Sequence, residues 1–337
     1  MIIPFAYANG TDSGVDANTA MKRLFSIALL LTIGFAISPA QKLKTAEEYN
    51  NRGLEKQGKG DLDGAIEDYT AAVALKGKPG TQAVAYNNRA NARISRNDFE
   101  GAIADYSKAI ELAPANEENY YNRGVALMSK GDNDGAIADF TRAIEISPRL
   151  AAAYNNRGNA RKGKGDVDGA ISDYGKALAQ NPKYVEALYN RGLAWQGKGD
   201  FAAAIKDYSS ALEIAPKFVD AYVNRGQAKQ SRRDFDGAIA DYSEALRLKP
   251  DDAGTYFARA SAREGKEDLN GAAADYSRTL ELDPNSAQAY ANRGAIETIQ
   301  GKKTEAKQDF EKAFRLDPGL RAQYKDFIEK WRAKSKP

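Results

Sequence analysis

The strongest constraint on this chain is a unit that recurs eight times between Ala46 and Leu320. Each copy places Tyr, or once Leu, three residues before an Arg, as in Tyr154-Asn-Asn-Arg157. The first step between copies is 37 residues and every later step is 34. A fixed period of roughly 20 to 50 residues is typical of a stacked array of small units, not of one compact core. Such arrays present long surfaces and seldom carry a catalytic pocket of their own.

Each unit is predicted to fold as two helices joined by a tight turn. We number every repeat from its first residue, so that position 1 of repeat 4 is Ala151. Positions 4, 7, 8 and 11 then share one stripe of a first helix, and positions 20, 23, 24 and 27 share one stripe of a second. In repeat 4, Asp166 is placed to cap the second helix and Pro182 ends it. The predicted repeats are 46–82, 83–116, 117–150, 151–184, 185–218, 219–252, 253–286 and 287–320.

Small residues and aromatic rings occupy the facing stripes of the two helices. Positions 8 and 20, such as Gly158 and Ala170, would let the helices approach closely, and rings at positions 4 and 24 would fill the space beside them. Thirteen of the 18 tyrosines stand at positions 4 and 24. We therefore predict that these rings form the core of each unit and not a binding site.

The unit resembles the tetratricopeptide repeat, whose pattern combines an aromatic residue, Leu-Gly, a second aromatic residue, Ala, a spaced aromatic residue and Pro. The resemblance implies an all-α fold, a right-handed α-solenoid whose first helices line the concave wall of a superhelix. The segment 321–337 is then predicted to be a capping helix and tail. Its apolar residues at helical spacing are Tyr324, Phe327, Ile328 and Trp331.

The chain departs from the family pattern at position 7, where Arg replaces Leu in every repeat. Position 23 is Asp in every repeat, and both positions lie on the facing stripes. We predict an Arg–Asp pair between the two helices of each unit, for instance Arg157 with Asp173, since a guanidinium and a carboxylate can form two parallel hydrogen bonds. Such a pair fixes helix register more than it adds stability.

Composition excludes several function classes. The chain has no histidine and no cysteine, which removes disulfides, the common zinc sites and catalysis by either residue. No Gly-rich phosphate loop or nucleophile turn interrupts the repeats. Lys plus Arg exceed Asp plus Glu by only three, which gives no case for binding nucleic acid or an anionic membrane. We therefore predict a protein that is not an enzyme and requires no cofactor.

Residues 21–40 are predicted to be a secretory signal peptide. Lys22 and Arg23 precede an apolar run from Leu24 to Ile37, and small residues follow it. This run is shorter than the ~20 residues that a membrane-spanning helix needs. The signal therefore predicts an exported protein without an integral membrane span once the signal is removed. The signal and the repeats resemble those of bacterial proteins, which implies the periplasm as its compartment.

Cleavage is expected after Ala40, which would leave residues 41–45 as a linker before the repeats. Residues 1–20 would lie upstream of a true start at Met21 or be disordered. The alternative is that the signal stays uncleaved and anchors the protein in the inner membrane.

The face of the first helix opposite the core carries the candidate binding residues. Position 6 is Asn in seven repeats, and an amide can both donate to and accept from the backbone of an extended peptide. This row is similar to the asparagine ladder in the repeat domain of the eukaryotic protein O-linked N-acetylglucosamine transferases. The alternative is that these amides tie neighbouring repeats together. The seven residues are Asn51, Asn88, Asn122, Asn156, Asn190, Asn224 and Asn292.

Position 5 varies between repeats, and specificity should reside where repeats differ. Tyr121, Tyr189 and Phe257 stand there. Aromatic side chains on an otherwise polar groove could anchor side chains of a partner. They could equally be half-buried against the adjacent repeat.

Two functions follow from these expectations. The first is a non-enzymatic scaffold of the cell envelope that binds a peptide or protein partner in the concave groove. The second is an accessory subunit of an envelope enzyme or assembly complex, which would dock by its convex face or its C-terminal helix. A transferase activity is disfavoured because the repeats leave no room for a separate catalytic domain.

Overall fold

In the computed structural model the described residues, 45–75 and 77–334, form helices joined by short turns. For residues 330–334 only the backbone is described. The expectations for the upstream segment, the signal peptide and its cleavage site lie outside these residues. None of the described helices is long and apolar enough to cross a lipid bilayer.

The described residues fall into two compact units, the first ending at Ile146 and the second beginning at Ser147. In the first unit the helices are α1 (Ala46–Gly58), α2 (Leu62–Ala74), α3 (Pro79–Ser95), α4 (Phe99–Leu112), α5 (Glu117–Ser129) and α6 (Asn133–Ile146). In the second unit they are α7 (Ala151–Gly163), α8 (Val167–Gln180), α9 (Val185–Gly197), α10 (Phe201–Ile214), α11 (Val219–Ser231), α12 (Phe235–Leu248), α13 (Ala253–Gly265), α14 (Leu269–Leu282), α15 (Ala287–Ile299), α16 (Lys303–Leu316), α17 (Leu320–Gln323) and α18 (Lys325–Lys334).

Each repeat is one pair of these helices, from α1 with α2 in repeat 1 to α15 with α16 in repeat 8. Within each unit the second helix of one repeat also packs on the first helix of the next, as α9 does on α8. The all-α fold of consecutively packed helix pairs is therefore confirmed.

The second helices begin where the sequence predicts. In repeat 4 the side chain of Asp166 accepts a hydrogen bond from the backbone N–H of Gly169, at 2.9 Å. This satisfies one of the N–H groups that a helix start leaves without a partner. Six other aspartates accept the equivalent hydrogen bond from the backbone: Asp61, Asp98, Asp132, Asp200, Asp234 and Asp268. Repeat 8 differs, because Lys302 takes this place and provides no side-chain cap.

The turn inside each repeat needs a residue with a left-handed backbone conformation, that is a positive φ, just before the position of this aspartate. Five repeats use glycine there, with φ between 77° and 85°: Gly60, Gly131, Gly165, Gly199 and Gly301. The other three use Asn97, Arg233 and Glu267 at φ of 61° to 67°. Glycine adopts this conformation without the steric cost that a side chain brings, which is why Gly-Asp recurs at the turn.

The aromatic ring at position 24 lies at the centre of each helix pair. Tyr174 is fully buried, and a Cβ added to Gly158 would lie 2.7 Å from its ring carbon Cε1. Glycine at position 8 therefore lets the first helix rest directly on the ring. Every ring at position 24 is buried, which confirms their predicted role.

The rings at position 4 do not share this burial. The ring of Tyr154 is half-buried, and the guanidinium of Arg157 lies 5.6 Å from its centre. The same stacking occurs with the tyrosines of repeats 1, 2, 6, 7 and 8. The prediction that position 4 belongs to the core holds in part: Tyr49, Tyr154 and Tyr290 pack against buried core residues, but their rings are only half-buried and the arginine one turn later lies over one face.

The predicted Arg–Asp pair is confirmed in all eight repeats. Arg157 donates from Nε and Nη2 to the two carboxylate oxygens of Asp173, at 2.8 and 2.7 Å. The same two-bond pair joins Arg52 with Asp68, Arg89 with Asp105, Arg123 with Asp139, Arg191 with Asp207, Arg225 with Asp241, Arg259 with Asp275 and Arg293 with Asp309. Because the geometry is directional, each pair sets how far one helix is displaced along the other.

Most of these arginines also reach back to the preceding repeat. Nη1 of Arg225 donates to the hydroxyl of Ser209 at position 25, over 3.0 Å. Equivalent bonds join Arg89 to Thr70, Arg123 to Ser107, Arg259 to Ser243 and Arg293 to Ser277. One guanidinium thus connects three helices, two in its own repeat and one in the repeat before.

The segment after repeat 8 forms the short helix α17 and then α18, with a break at Tyr324. The ring of Tyr324 lies 5.7 Å from the ring of Phe310, and its hydroxyl donates to Asn292. This segment therefore covers the end of repeat 8. The side chain of Trp331 lies outside the described part of the chain.

Candidate functional site

The candidate site is the surface formed by position 6 and by the aromatic residues at position 5 of the first helices, which we call the first-helix face. The asparagines at position 5, Asn50, Asn87 and Asn155, are buried. Within each unit, first helices of neighbouring repeats contact one another, as α1 does α3 and α9 does α11. The first-helix face is consequently continuous from one repeat to the next inside a unit.

Several of the predicted asparagines donate hydrogen bonds within the protein, among them Asn88, Asn190, Asn224 and Asn292. In the first unit, Nδ2 of Asn88 donates to Oδ1 of Asn50, at 2.9 Å. In the second unit, Asn190 donates to Asn155 at 3.1 Å, and Asn224 donates to the hydroxyl of Tyr189 at 2.8 Å. In these three cases the acceptor stands at position 5 of the preceding repeat.

Asn292 also donates to the preceding repeat, but its acceptor stands at position 24 instead of position 5. Position 5 of repeat 7 is Phe257, which offers none, and Asn292 donates instead to the hydroxyl of Tyr276 at 2.9 Å. Its Oδ1 accepts from Tyr324 and from Gln288. The donors of these asparagines therefore serve the contact between repeats, which was the alternative to ligand binding.

The remaining asparagines and the free oxygens define what the face can still offer. Asn51 is exposed and Asn122 is half-buried, while Oδ1 of Asn156 accepts from Asn155 at 3.2 Å. Among the described atoms, no donor bonds to Oδ1 of Asn88, Asn190 or Asn224. The row is thus chiefly a row of hydrogen-bond acceptors, suited to the N–H groups of a peptide.

The three aromatic residues at position 5 are half-buried over the buried ring of their own repeat. Tyr121 lies 5.8 Å from Phe140, Tyr189 lies 5.8 Å from Tyr208, and Phe257 lies 5.3 Å from Tyr276, measured between ring centres. Tyr189 also contacts Phe218, at 4.7 Å, in the turn that leads to repeat 6. Each ring therefore packs on the buried ring of its repeat on one side and remains partly exposed to solvent.

An open cleft of about 220 Å³ lies beside Phe257 in the second unit. Its walls come from α13, from the end of α14 and from the start of α15. They include Gly254, Phe257, Thr279, Asp283, Ser286 and Gln288. Sequence reasoning named only Phe257 here. The available signal was that repeat 7 carries glycine, Gly254, at position 2 of its first helix.

Two ionisable side chains of the first helices were also missed. Burial lowers the pKa of the Lys162 ammonium and raises the pKa of the Glu264 carboxyl, which accepts a hydrogen bond from Tyr276. Both stand at position 12, where the other repeats carry neutral residues. Repeats 4 and 7 therefore differ from the other repeats in having an ionisable side chain at position 12 of the first helix.

The edge where the turns lie is charged but largely neutralised. The base at position 14 pairs with the acid at position 18 of the preceding repeat, as Lys130 does with Glu100 at 2.8 Å. The same pairing joins Arg96 with Asp63, Lys198 with Asp168 and Lys266 with Asp236. Pairing of this kind reduces the charge that this edge can offer to a partner.

Models of known families match most of the repeat region. A model described as TPR repeat matches residues 90–131 and 126–165. Models described as Tetratricopeptide repeat match residues 46–79, 155–217, 219–252 and 287–320. No curated protein matches the chain.

Solved structures of repeat proteins are similar in fold. The C-terminal part of a TPR repeat-containing protein from Cytophaga hutchinsonii is 20% identical with a TM-score of 0.61, covering 68% of this chain and 94% of that one. A tetratricopeptide repeat protein from Parabacteroides merdae is 18% identical with a TM-score of 0.55, covering 74% and 97%. YrrB, described as a TPR protein with an unusual peptide-binding site, is 23% identical with a TM-score of 0.49, covering 53% and 92%.

Proposed function

Because the chain belongs to the tetratricopeptide repeat family, and its fold is that of a protein-interaction scaffold, we propose that it is a non-enzymatic scaffold of the cell envelope. Its first-helix face, the concave groove of the array, binds a peptide or protein partner. The bound segment is extended, and its backbone N–H groups meet amide oxygens of position 6 asparagines such as Asn190 and Asn224. The protein is exported through the signal at 21–40 and acts in the periplasm.

The observation that carries this proposal is the combination of anchored rings with unengaged acceptors on one continuous face. Tyr189 is fixed by Tyr208 and Phe218, so a partner that packs on it does not have to restrain a mobile side chain. Oδ1 of Asn190 and of Asn224 lie on the same face, one repeat apart. Rigid aromatic side chains beside hydrogen-bonding groups are typical of surfaces that bind peptides.

The absence of His and Cys from the sequence supports a role without catalysis. Within the described residues no group of three or more acidic side chains is placed to hold a metal ion. The face contains amides, aromatic rings and small residues, which bind but do not transfer protons or groups at neutral pH.

The test is capture of partners from an envelope extract by two matched double variants. The first is Asn122→Arg with Gln227→Arg, at position 6 and at the exposed position 9 of first helices, which places one bulky cation on the first-helix face and one beside it. The second is Ala104→Arg with Ala240→Arg, which adds the same charge at exposed positions of second helices. We expect the first variant to lose the partners that the unchanged protein captures, and the second to retain them.

The outcomes separate the two candidate functions. Loss of capture in the second variant alone would overturn groove binding and favour docking by the second helices. Loss after removal of residues 325–337, which leaves Tyr324 in place, would favour docking by the C-terminal helix. Retention by every variant contradicts the proposal.

The localisation is tested separately on the unaltered chain. N-terminal sequencing of the protein recovered from periplasm should give Gln41 as the first residue. Recovery of an uncleaved chain with the inner membrane would instead support the anchored form.

A further inference from the structure

The cleft beside Phe257 lies where repeat 7 lacks a side chain that the other repeats carry. Position 2 is Gly254 here, whereas the other repeats have Glu47, Val84, Glu118, Ala152, Glu186, Asp220 and Gln288. Gly254 lines the cleft, a space of about 220 Å³ next to the ring of Phe257.

The size of the cleft limits what can occupy it. Sites for small molecules usually enclose roughly 300 to 1,000 Å³. A space of about 220 Å³ is instead suited to one side chain of a longer molecule. Its floor is rigid, since the ring of Phe257 packs edge-on against the buried ring of Tyr276 at 5.3 Å.

The lining carries one formal charge, the carboxylate of Asp283. Oδ1 of Asp283 accepts the backbone N–H of Asn285, at 3.0 Å. No basic side chain in the described part of the chain forms an ion pair with it. Two of the other polar side chains are already engaged, because Thr279 donates to the carbonyl of Asp275 and Gln288 donates to Asn292. The hydroxyl of Ser286 accepts no bond from the start of α15.

We propose that this cleft holds one basic side chain, lysine or arginine, of the peptide bound by the first-helix face. The aliphatic stem packs on the ring of Phe257 and beside Gly254, and the cation reaches the carboxylate of Asp283. Long basic side chains bury their methylene groups while keeping the charge at the surface, and an aromatic ring also attracts a cation. The peptide context rests on the proposed function, whereas the cleft itself can be tested alone.

The first experiment titrates the full chain with amino-acid amides and follows the backbone N–H signals of Gly254 and Gln288 by NMR. The probes are N-acetyl-lysinamide and N-acetyl-norleucinamide, which differ by the terminal charge. We expect the lysine probe to shift both signals and to bind about threefold to fivefold more tightly, as an exposed ion pair of at most ~1 kcal/mol provides. This preference should shrink in 0.5 M salt.

Asp283→Asn and Asp317→Asn form a matched pair of variants. Asp317 stands at the same position of repeat 8 and likewise accepts a backbone N–H, that of Gly319 at 2.9 Å, but does not line the cleft. The lysine preference should disappear in Asp283→Asn and remain in Asp317→Asn. Equal binding of both probes to the unchanged protein, or no shift with the lysine probe, overturns the proposal.

The second experiment selects random twelve-residue peptides on the full chain. Selected peptides should be enriched in Lys or Arg with the unchanged protein and with Asp317→Asn, and not with Asp283→Asn. If no peptide is selected while the lysine probe still binds, the peptide function fails and the cleft stands. If peptides are selected without basic residues, the proposal for the cleft fails and the peptide function stands.

Discussion

Repeats 4 and 8 contain the same Arg–Asp pair in opposite electrostatic surroundings. In repeat 4, Asp173 is fully buried and accepts two bonds from Arg157, and Arg161 at position 11 lies 2.8 Å from its second oxygen. Two cations therefore compensate one carboxylate. Five of the eight repeats place a base at position 11 against this aspartate in the same way.

Repeat 8 has Glu297 at position 11 instead. Burial, and then the charge of Asp309, raise the pKa of Glu297 to about 7, and Arg293 lowers it only in part. The Oε2 atom of Glu297 is buried without a hydrogen-bond donor among the described atoms. One exchanged residue thus turns a compensated carboxylate into two carboxylates that repel each other. The backbone fold of the repeat tolerates this because Arg293 and Asp309 keep their two bonds.

The largest effect should come from removing the buried acid of repeat 4. Asp173→Ala leaves Arg157 and Arg161 without their shared partner, and breaking a buried pair typically costs about 3 kcal/mol or more. Asp309→Ala should cost clearly less, because Glu297, 4.0 Å from Nε of Arg293, can replace the lost carboxylate. Hydrogen exchange of each helix pair measures local stability, which suits an array that does not unfold as one unit. Equal losses in the two repeats would show that position 11 has no influence.

The features that sequence predicted well are those contained within one repeat. The pair of Arg157 with Asp173 and the burial of Tyr174 depend only on the spacing of positions along two neighbouring helices. That spacing is fixed by the period of the α-helix and by the turn length. Eight copies of the same pattern made these features recognisable without a structure.

Contacts between repeats were not predictable in the same way. Asn190 donates to Asn155, yet Asn292 turns to Tyr276, because the residue at position 5 of the preceding repeat differs. Such contacts depend on how far one repeat is displaced and rotated against the next, which the period does not specify. The cleft beside Phe257 depends on atoms that Gly254 lacks, and a missing side chain leaves only a weak signal in one sequence.

The charge of repeat 8 predicts a dependence of its stability on pH. The ordinary pKa of Glu297 is 4.5 and its value in the folded chain is about 7, so the folded repeat holds a proton that the unfolded chain has released. Its stability therefore falls as pH rises from about 4.5 to 7, and the loss is complete above pH 7. After solvent screening we expect a change of about 1 kcal/mol. Urea unfolding of the C-terminal repeats at pH 5 and pH 7.5 measures it.

Three variants isolate the contribution of Glu297. Glu297→Gln should stabilise repeat 8 by about 1 kcal/mol at pH 7.5 and leave it nearly unchanged at pH 5. Glu297→Arg should stabilise it at both values, since it restores the base found in repeat 4. Glu213→Gln removes an exposed carboxylate elsewhere in the second unit and should have no such effect. A pH dependence that persists in Glu297→Gln would assign the titration to another group.

The smallest expected effect concerns a hydrogen bond between neighbouring repeats. Repeat 7 accepts this bond from repeat 8, whereas repeat 4 has no side chain to accept it from repeat 5. Arg293 of repeat 8 donates to Ser277 of the preceding repeat, whereas repeat 4 offers Gly175 to Arg191. A Cβ on Gly175 would lie 3.8 Å from Nη1 of Arg191, an ordinary contact, so a serine fits there.

Gly175→Ser should add this hydrogen bond, about 0.5 kcal/mol, to the benefit of replacing a helical glycine. Gly175→Ala provides the second benefit alone, and Arg191→Lys removes the Nη1 donor while retaining the charge beside Asp207. In a double-mutant cycle the advantage of Ser over Ala should be present with Arg191 and absent with Lys, because only the guanidinium can donate to the hydroxyl while bonded to Asp207. If the advantage survives in the Lys background, the hydroxyl acts through its own helix and not across repeats.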